Sequence, residues 1–237
     1  VTTGAVDVAR NLIPHREKLA QIPVITMLSC LPCSELDLLN APHTAISHVK
    51  AGIDFSAGLP SAERTVTFHL GSLVTEEEFC CKSADEWRNI FHRNIKPLLS
   101  EIKNYAQNKG IDIKVETCSI PEFGDWPQET TTTYNNVPLP QLRNPFYLSH
   151  VWGFEQIRDT GAGICLDICH NQTIYQLIRR EWSGMLYPED VVALEGKSIL
   201  ADVRSLEAGD LVHLNDGKGF YSKQGKNHLE GIALGQG

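Results

Sequence analysis

The 237 residues include 21 lysines and arginines against 29 aspartates and glutamates, a formal charge of −8, and 42% of them are hydrophobic. That content suffices for one large core, while the acidic balance gives no electrostatic footprint for a polyanion, so nucleic acid is a disfavoured partner. No stretch approaches the ~20 consecutive apolar residues of a membrane span, Val1 to Arg10 lacks a basic region followed by an apolar run, and the seven cysteines are an odd number, which together predict a soluble, unexported, cytoplasmic protein.

Val6 to Gln21 has a mostly helical apolar spacing interrupted by Pro14. Pro23 to Cys30 is a short apolar, β-branched run bounded by prolines, as a buried strand would be, and Leu36 to Asn40, ending at Ala41-Pro42-His43, is a second candidate strand. Arg64 to His69 is the next strand. After Gly71-Ser72, Thr75 to Glu78 has the spacing of a helix capping box. Trp87 to Lys109 shows helical periodicity with Gly110 at its C-cap, and Pro97 is expected to kink or divide it. Ile111 to Glu116, Ile164 to Asp167 and Asp210 to His213 are three further strands, with helical material at Asn171 to Arg180 and Pro188 to Leu206. Strands alternating with helices predict an α/β fold of parallel βαβ units, an open doubly wound sheet or a closed barrel, in a single domain over 1–237. The Pro-, Thr- and Asn-rich stretch at about 118–147 has no clear period and is a candidate lid.

The ionisable residues fall at equivalent places. His69, Glu116, Asp167 and His213 each end, or nearly end, a predicted strand. In a parallel barrel every such end opens onto one face, so residues distant in sequence converge there. Imidazole with carboxylate suits zinc, manganese, iron or cobalt more than calcium. Asp167 and His170, three residues apart, can share that pocket. Taken singly, each histidine is more often a hydrogen-bonded structural residue than a ligand. Glu116 and Asp167 end apolar strands, where an unpaired charge is costly, so each requires a cation, a salt-bridge partner or solvent.

Five motifs in order resemble those of the xylose isomerase-like and endonuclease IV-like TIM-barrel superfamily (AP endonuclease family 2): His69-Leu-Gly-Ser72, Val115-Glu-Thr117, Cys165-Leu-Asp-Ile-Cys-His170, Val212-His-Leu-Asn-Asp216, and Asn227-His-Leu229 followed by Leu234-Gly-Gln-Gly237. Ala41-Pro42-His43 resembles an earlier strand end of that superfamily. The resemblance implies a (β/α)8 barrel. It also implies His69, Glu116, Asp167, His170, His213 and His228 as candidate ligands of divalent metal (Zn, Mn, Fe, Co or Mg), with Glu116 and His170 as catalytic candidates. Two departures stand out: Lys226 occupies a position where the endonuclease pattern has Asp, and the chain ends nine residues after His228, without the Glu expected on a last strand, so the final βα unit is expected to be missing or rearranged. A metal-dependent sugar or sugar-phosphate isomerase or epimerase, with a small carbohydrate as substrate, fits the acidic charge and the incomplete metal pattern. An endonuclease IV-like phosphodiesterase acting on abasic DNA fits the histidine-rich motifs. A non-catalytic barrel with a degraded metal site is the third reading.

Other signals are weaker. Cys30-Leu-Pro-Cys33 has redox or metal-knuckle spacing but no second pair to complete it, so buried cysteines are expected there. Cys165 and Cys169 flank Asp167 as expected pocket lining rather than ligands. Arg179 to Trp182 and the lysines from Lys96 to Lys109 are either phosphate-contacting surfaces or merely solvated faces. Phe123, Trp126 and Trp152 either stack on a substrate ring or pin the long loop.

Overall fold

The computed structural model describes residues 12–28, 35–118, 133–134, 137–138, 141–179 and 186–214. Among them, β1 (Val24–Met27), β2 (Arg64–His69), β3 (Asp112–Glu116), β4 (Gly163–Asp167) and β5 (Leu211–His213) form one parallel sheet. Spatial order equals chain order. A doubly wound sheet would reverse direction at a switch point, whereas right-handed crossovers that always step the same way put all connecting helices on one face. The sheet curls, and the architecture is that of a partial (β/α)8 barrel.

Strand alternation separates two faces. Val66 and Phe68 of β2 pair in register with Ile113 and Val115 of β3, and Val115 pairs with Ile164 of β4. These side chains, with Leu166, are fully buried in one cluster with Val49 and Ile53 of α2 (Pro42–Ala57) and Leu99, Ile102 and Ala106 of α5 (Lys96–Gln107). At about 1.5–3 kcal/mol per large apolar side chain, this outer layer is the main source of stability. The alternate residues are different in kind: Thr67, His69, Lys114, Glu116, Cys165 and Asp167 occupy the concave face, buried yet mostly polar. Gly163 pairs with Lys114, whose side chain crosses where a Cβ at 163 would stand, 2.6 Å away, and reaches Asp112 at 2.6 Å.

The helices start where local chemistry dictates. Before α2 comes a short α1 (Arg16–Leu19), and α2 itself opens with Pro42 in its first turn. The expected capping box is present at α3 (Glu76–Cys80), where Thr75 and Glu78 bond reciprocally at 3.1 Å. A second, Ser83 with Glu86, starts α4 (Ala84–Ile90). The expected break at Pro97 takes the form of a π-helical segment, Phe91–Ile95, between α4 and α5. Proline has no N–H to bond the preceding turn, and the widened turn absorbs that loss without ending the helix. Gly110 follows α5 at φ 65°, as its C-cap position requires. Further along lie α6 (Phe154–Arg158), α7 (Ile168–Arg179), α8 (Pro188–Leu194) and α9 (Ile199–Arg204). The predicted helical stretch Pro188 to Leu206 is thus two helices, separated at Gly196, φ 72°.

Two expectations are corrected. Leu36 to Asn40 is a turn, not a strand: Asp37 Oδ1 accepts from the backbone N–H groups of Leu39 and Asn40, and a single bridge to Gly71 is its only sheet-like pairing among the described residues. The Asp carboxylate offers the backbone a local partner that outcompetes a ladder. The candidate lid is also shorter than 118–147 at its far end. Leu142–Arg143 pairs antiparallel with Val74–Thr75, and Leu142, Phe146 and Tyr147 are buried in the core. Most of the remaining stretch lies outside the described residues, as do Cys30, Cys33, Phe123 and Trp126. No helix among the described residues is long and apolar enough to cross a membrane.

Candidate metal centre

Four strand ends bring their ionisable residues to one place. Glu116 is the hub, pairing in register with His69 on β2 and Cys165 on β4, while Asp167 pairs with His213 one pleat further along. Glu116 is 1% exposed, Asp167 2%, and His69 and His170 6% each. His213 Nδ1 lies 2.8 Å and His69 Nε2 3.5 Å from Glu116 Oε1. His213 Nδ1 is also 3.8 Å from Asp167 Oδ2.

The strand-to-helix junction explains the spacing of Asp167 and His170. Asp167 ends β4, and its Oδ1 accepts the N–H of His170 at 2.9 Å, as a helix N-cap does at the third position of α7. The same short turn swings His170 back over the strand ends, its ring edge-on to His69 at 5.4 Å. Thr117, which follows Glu116, fixes both: its Oγ1 accepts from Asp167 N at 2.9 Å, and its carbonyl lies 2.8 Å from His170 Nδ1. A carbonyl can only accept, so Nδ1 carries a proton there, the arrangement that orients a ligating or proton-accepting imidazole. Sequence reasoning quoted Thr117 within a motif but gave it no role, because the chemistry here belongs largely to its backbone.

The electrostatics follow from the contacts. Burial pushes the Glu116 carboxyl upward, but the hydrogen bond from His213, with His69 in support, outweighs it and holds the group well below the usual carboxylate range. The His213 imidazole is raised in turn, chiefly by its hydrogen bond to Glu116, against the effect of its own partial burial. Cys165 is driven far up by burial and by the nearby carboxylates of Glu116 and Asp167, so its thiol keeps its proton.

Two donor groups meet the distance requirement for holding one ion. His69, Glu116 and His170 place ligand atoms within 4.8 Å of one another, and so do Glu116, Cys165 and His213. Glu116 Oε2 is buried and has no hydrogen bond among the described residues, the state of a carboxylate oxygen awaiting a cation. The residues present therefore fit a divalent metal. Of the other sequence candidates, Asp167 sits at the rim of the cluster with one oxygen committed to capping α7. His43 is exposed on the first turn of α2, and His228 and Lys226 lie outside the described residues.

No protein-family model and no curated protein matches the chain. Three solved structures are similar to it at 14% identity. A xylose isomerase domain protein from Planctomyces limnophilus aligns with a TM-score of 0.48 over 95% of this chain and 67% of that one. An L-ribulose 3-epimerase aligns with a TM-score of 0.43 over 90% and 67%. A protein described as a sugar phosphate isomerase/epimerase from Anabaena variabilis aligns at 0.41 over 90% and 68%.

Of the surfaces weighed as phosphate contacts, the lysines from Lys96 to Lys109 are neutralised, and Arg180 to Trp182 lies outside the described residues. Lys96 pairs with Asp159 at 3.0 Å, Lys103 with Asp112 at 3.1 Å and Lys109 with Asp54 at 2.8 Å. Trp152 packs against Phe91 and Phe146 beneath the Arg88 guanidinium, a core-pinning role.

Proposed function

We propose that the chain is a divalent-metal-dependent isomerase or epimerase of a sugar or sugar phosphate, working by proton transfer at a carbon next to a carbonyl. The observation that carries this reading is the buried Glu116 carboxylate, flanked by His69 and His213, with one oxygen that accepts no hydrogen bond among the described residues. Glu116 and His213 would hold the ion, with His69 beside the Glu116 carboxylate. When bound, it supplies Lewis acidity to the carbonyl and hydroxyl oxygens of the sugar. Glu116, held so far down, is a weak base and serves better as ligand than as proton acceptor. The proton-moving role falls to His170, whose ring is fixed by its Nδ1–H on the Thr117 carbonyl. Asp167 holds the His170 backbone in place. The compact donor set and the paired lysines on α5 favour proton transfer over cleavage of a polyanionic backbone.

A panel of ketoses and their phosphates incubated with metal-loaded protein in deuterium oxide tests this. Deuterium should enter the carbon beside the carbonyl with wild-type protein and not with His170→Ala or Glu116→Gln. Cutting of a duplex with an abasic site, without exchange in any sugar, would replace this reading with the phosphodiesterase one. Neither activity, with no metal retained, would leave a non-catalytic barrel.

A further inference from the structure

The floor of the cluster contains a donor that the proposed proton transfer does not use. Cys165 is fully buried on the concave face, beside Glu116 in register and two residues before Asp167, hence about 6.6 Å deeper along β4. Its sulfur, a Glu116 oxygen and a His213 nitrogen all lie within 4.8 Å of one another. The Glu116 side chain, 1% exposed, has an Oε2 that accepts no hydrogen bond among the described residues. A buried cysteine is ordinarily a small inert apolar residue. Here the Glu116 carboxylate pairs with it across the sheet and the His213 imidazole, from two residues further along β5 than its register partner Leu211, comes within the same 4.8 Å; both are usual companions of a thiolate in a zinc site.

We propose that Cys165 is a metal ligand, and that Glu116, Cys165 and His213 make a thiolate-containing ion position at the floor of the centre that selects zinc or cobalt over magnesium. The inference rests on the metal-centre reading above and adds to it the ligand that decides which ion is retained. Magnesium demands oxygen ligands and gains nothing from sulfur, whereas a Zn–S bond of about 2.3 Å is strong. On binding, the S–H bond breaks heterolytically: sulfur keeps the electron pair and donates it to the ion, and the proton leaves to the buffer. No oxidant is required.

Cobalt titration of the metal-stripped full chain, followed by absorption, tests this without reference to turnover. Wild-type protein should show a thiolate-to-cobalt charge-transfer band in the near ultraviolet, lost in Cys165→Ser and retained in Cys118→Ser and Cys169→Ser. Cys165→Ser should also weaken zinc about tenfold or more, the least that disturbing a metal site's supporting shell costs, while magnesium binding stays put. Should Cys165→Ser not fold, X-ray absorption of the zinc-loaded wild type decides, with a sulfur neighbour at about 2.3 Å expected. Bound cobalt without the band, a band that survives Cys165→Ser, or a zinc shell of nitrogen and oxygen alone overturns the inference while leaving the metal centre intact. No bound cobalt or zinc at all overturns the metal-centre reading, and this inference with it.

Discussion

The Glu116–His213 pair ties the state of the centre to pH. Glu116 is depressed, so its contribution is present above the unfolded value of about 4.3 and is lost as pH falls through its folded value. His213 is raised, so its contribution is complete below about 6.5 and disappears as pH rises through its folded value. Metal-free protein should therefore be best supported by this pair between about pH 4.3 and 6.5, with a loss on the alkaline side. Denaturant unfolding across pH 4–9 in a chelator should show that alkaline loss, and Glu116→Gln should remove it. In the same variant, the imidazole proton signals of His213 should titrate at lower pH than in wild type; an unmoved titration would mean that Glu116 does not set its charge. Glu116 and His213 were legible in sequence because each closes an apolar strand. Cys165 was visible as a neighbour of Asp167 but not as a donor, since only the β3–β4 register places it opposite Glu116.

Between elements, buried carboxylates act as straps. Asp202 of α9, fully buried, accepts from His150 N at 2.8 Å, His150 Nδ1 at 2.7 Å, Asn171 Nδ2 at 3.0 Å and Tyr175 OH at 2.8 Å. It thereby locks α7, and with it His170, against the chain that leads into β5. Asp202→Ala strands four donors and should cost about 3–5 kcal/mol in urea unfolding; a loss under 1 kcal/mol would show the network to be dispensable. Asp210 does the same at the opposite end of the strands. Its Oδ1 takes Ile164 N at 2.8 Å, and its Oδ2 takes Arg158 Nη2 at 2.6 Å and Glu207 N at 2.9 Å. Burial raises the Asp210 pKa, but the bonds from Glu207, Ile164 and Arg158 together lower it further. Its stabilisation is thus present above the unfolded value of about 3.9 and lost as pH falls through the folded value. Asp210→Ala should destabilise at pH 7 by about 3 kcal/mol and flatten the acid limb of the stability profile. The turn at Leu36 to Asn40 is where sequence reasoning failed at this scale, because an apolar run signals burial without saying whether strand or turn provides it; Leu36 and Leu38 are indeed buried.

For the whole molecule, a metal that binds only the folded chain must stabilise it by mass action. At a hundred times Kd the gain is about 2.7 kcal/mol, or about 5–10 °C in the unfolding midpoint of a chain of this size. Zinc or manganese added to stripped protein should produce that shift in differential scanning fluorimetry, and Glu116→Gln should abolish it; equal shifts in both proteins would place the ion elsewhere. The parallel α/β class, the strand ends and the residue types they present were all readable from local pattern, because period-2 apolar runs ending in His, Glu or Asp follow from chain geometry and hydrophobicity alone. How the donors group depends instead on contacts between distant parts of the chain. Register set Glu116 beside His69 and Cys165, a two-residue offset set His213 level with Asp167, and the capping turn brought His170 over them. Those placements depend on backbone hydrogen bonds between strands 36 or more residues apart in sequence, which no local pattern encodes.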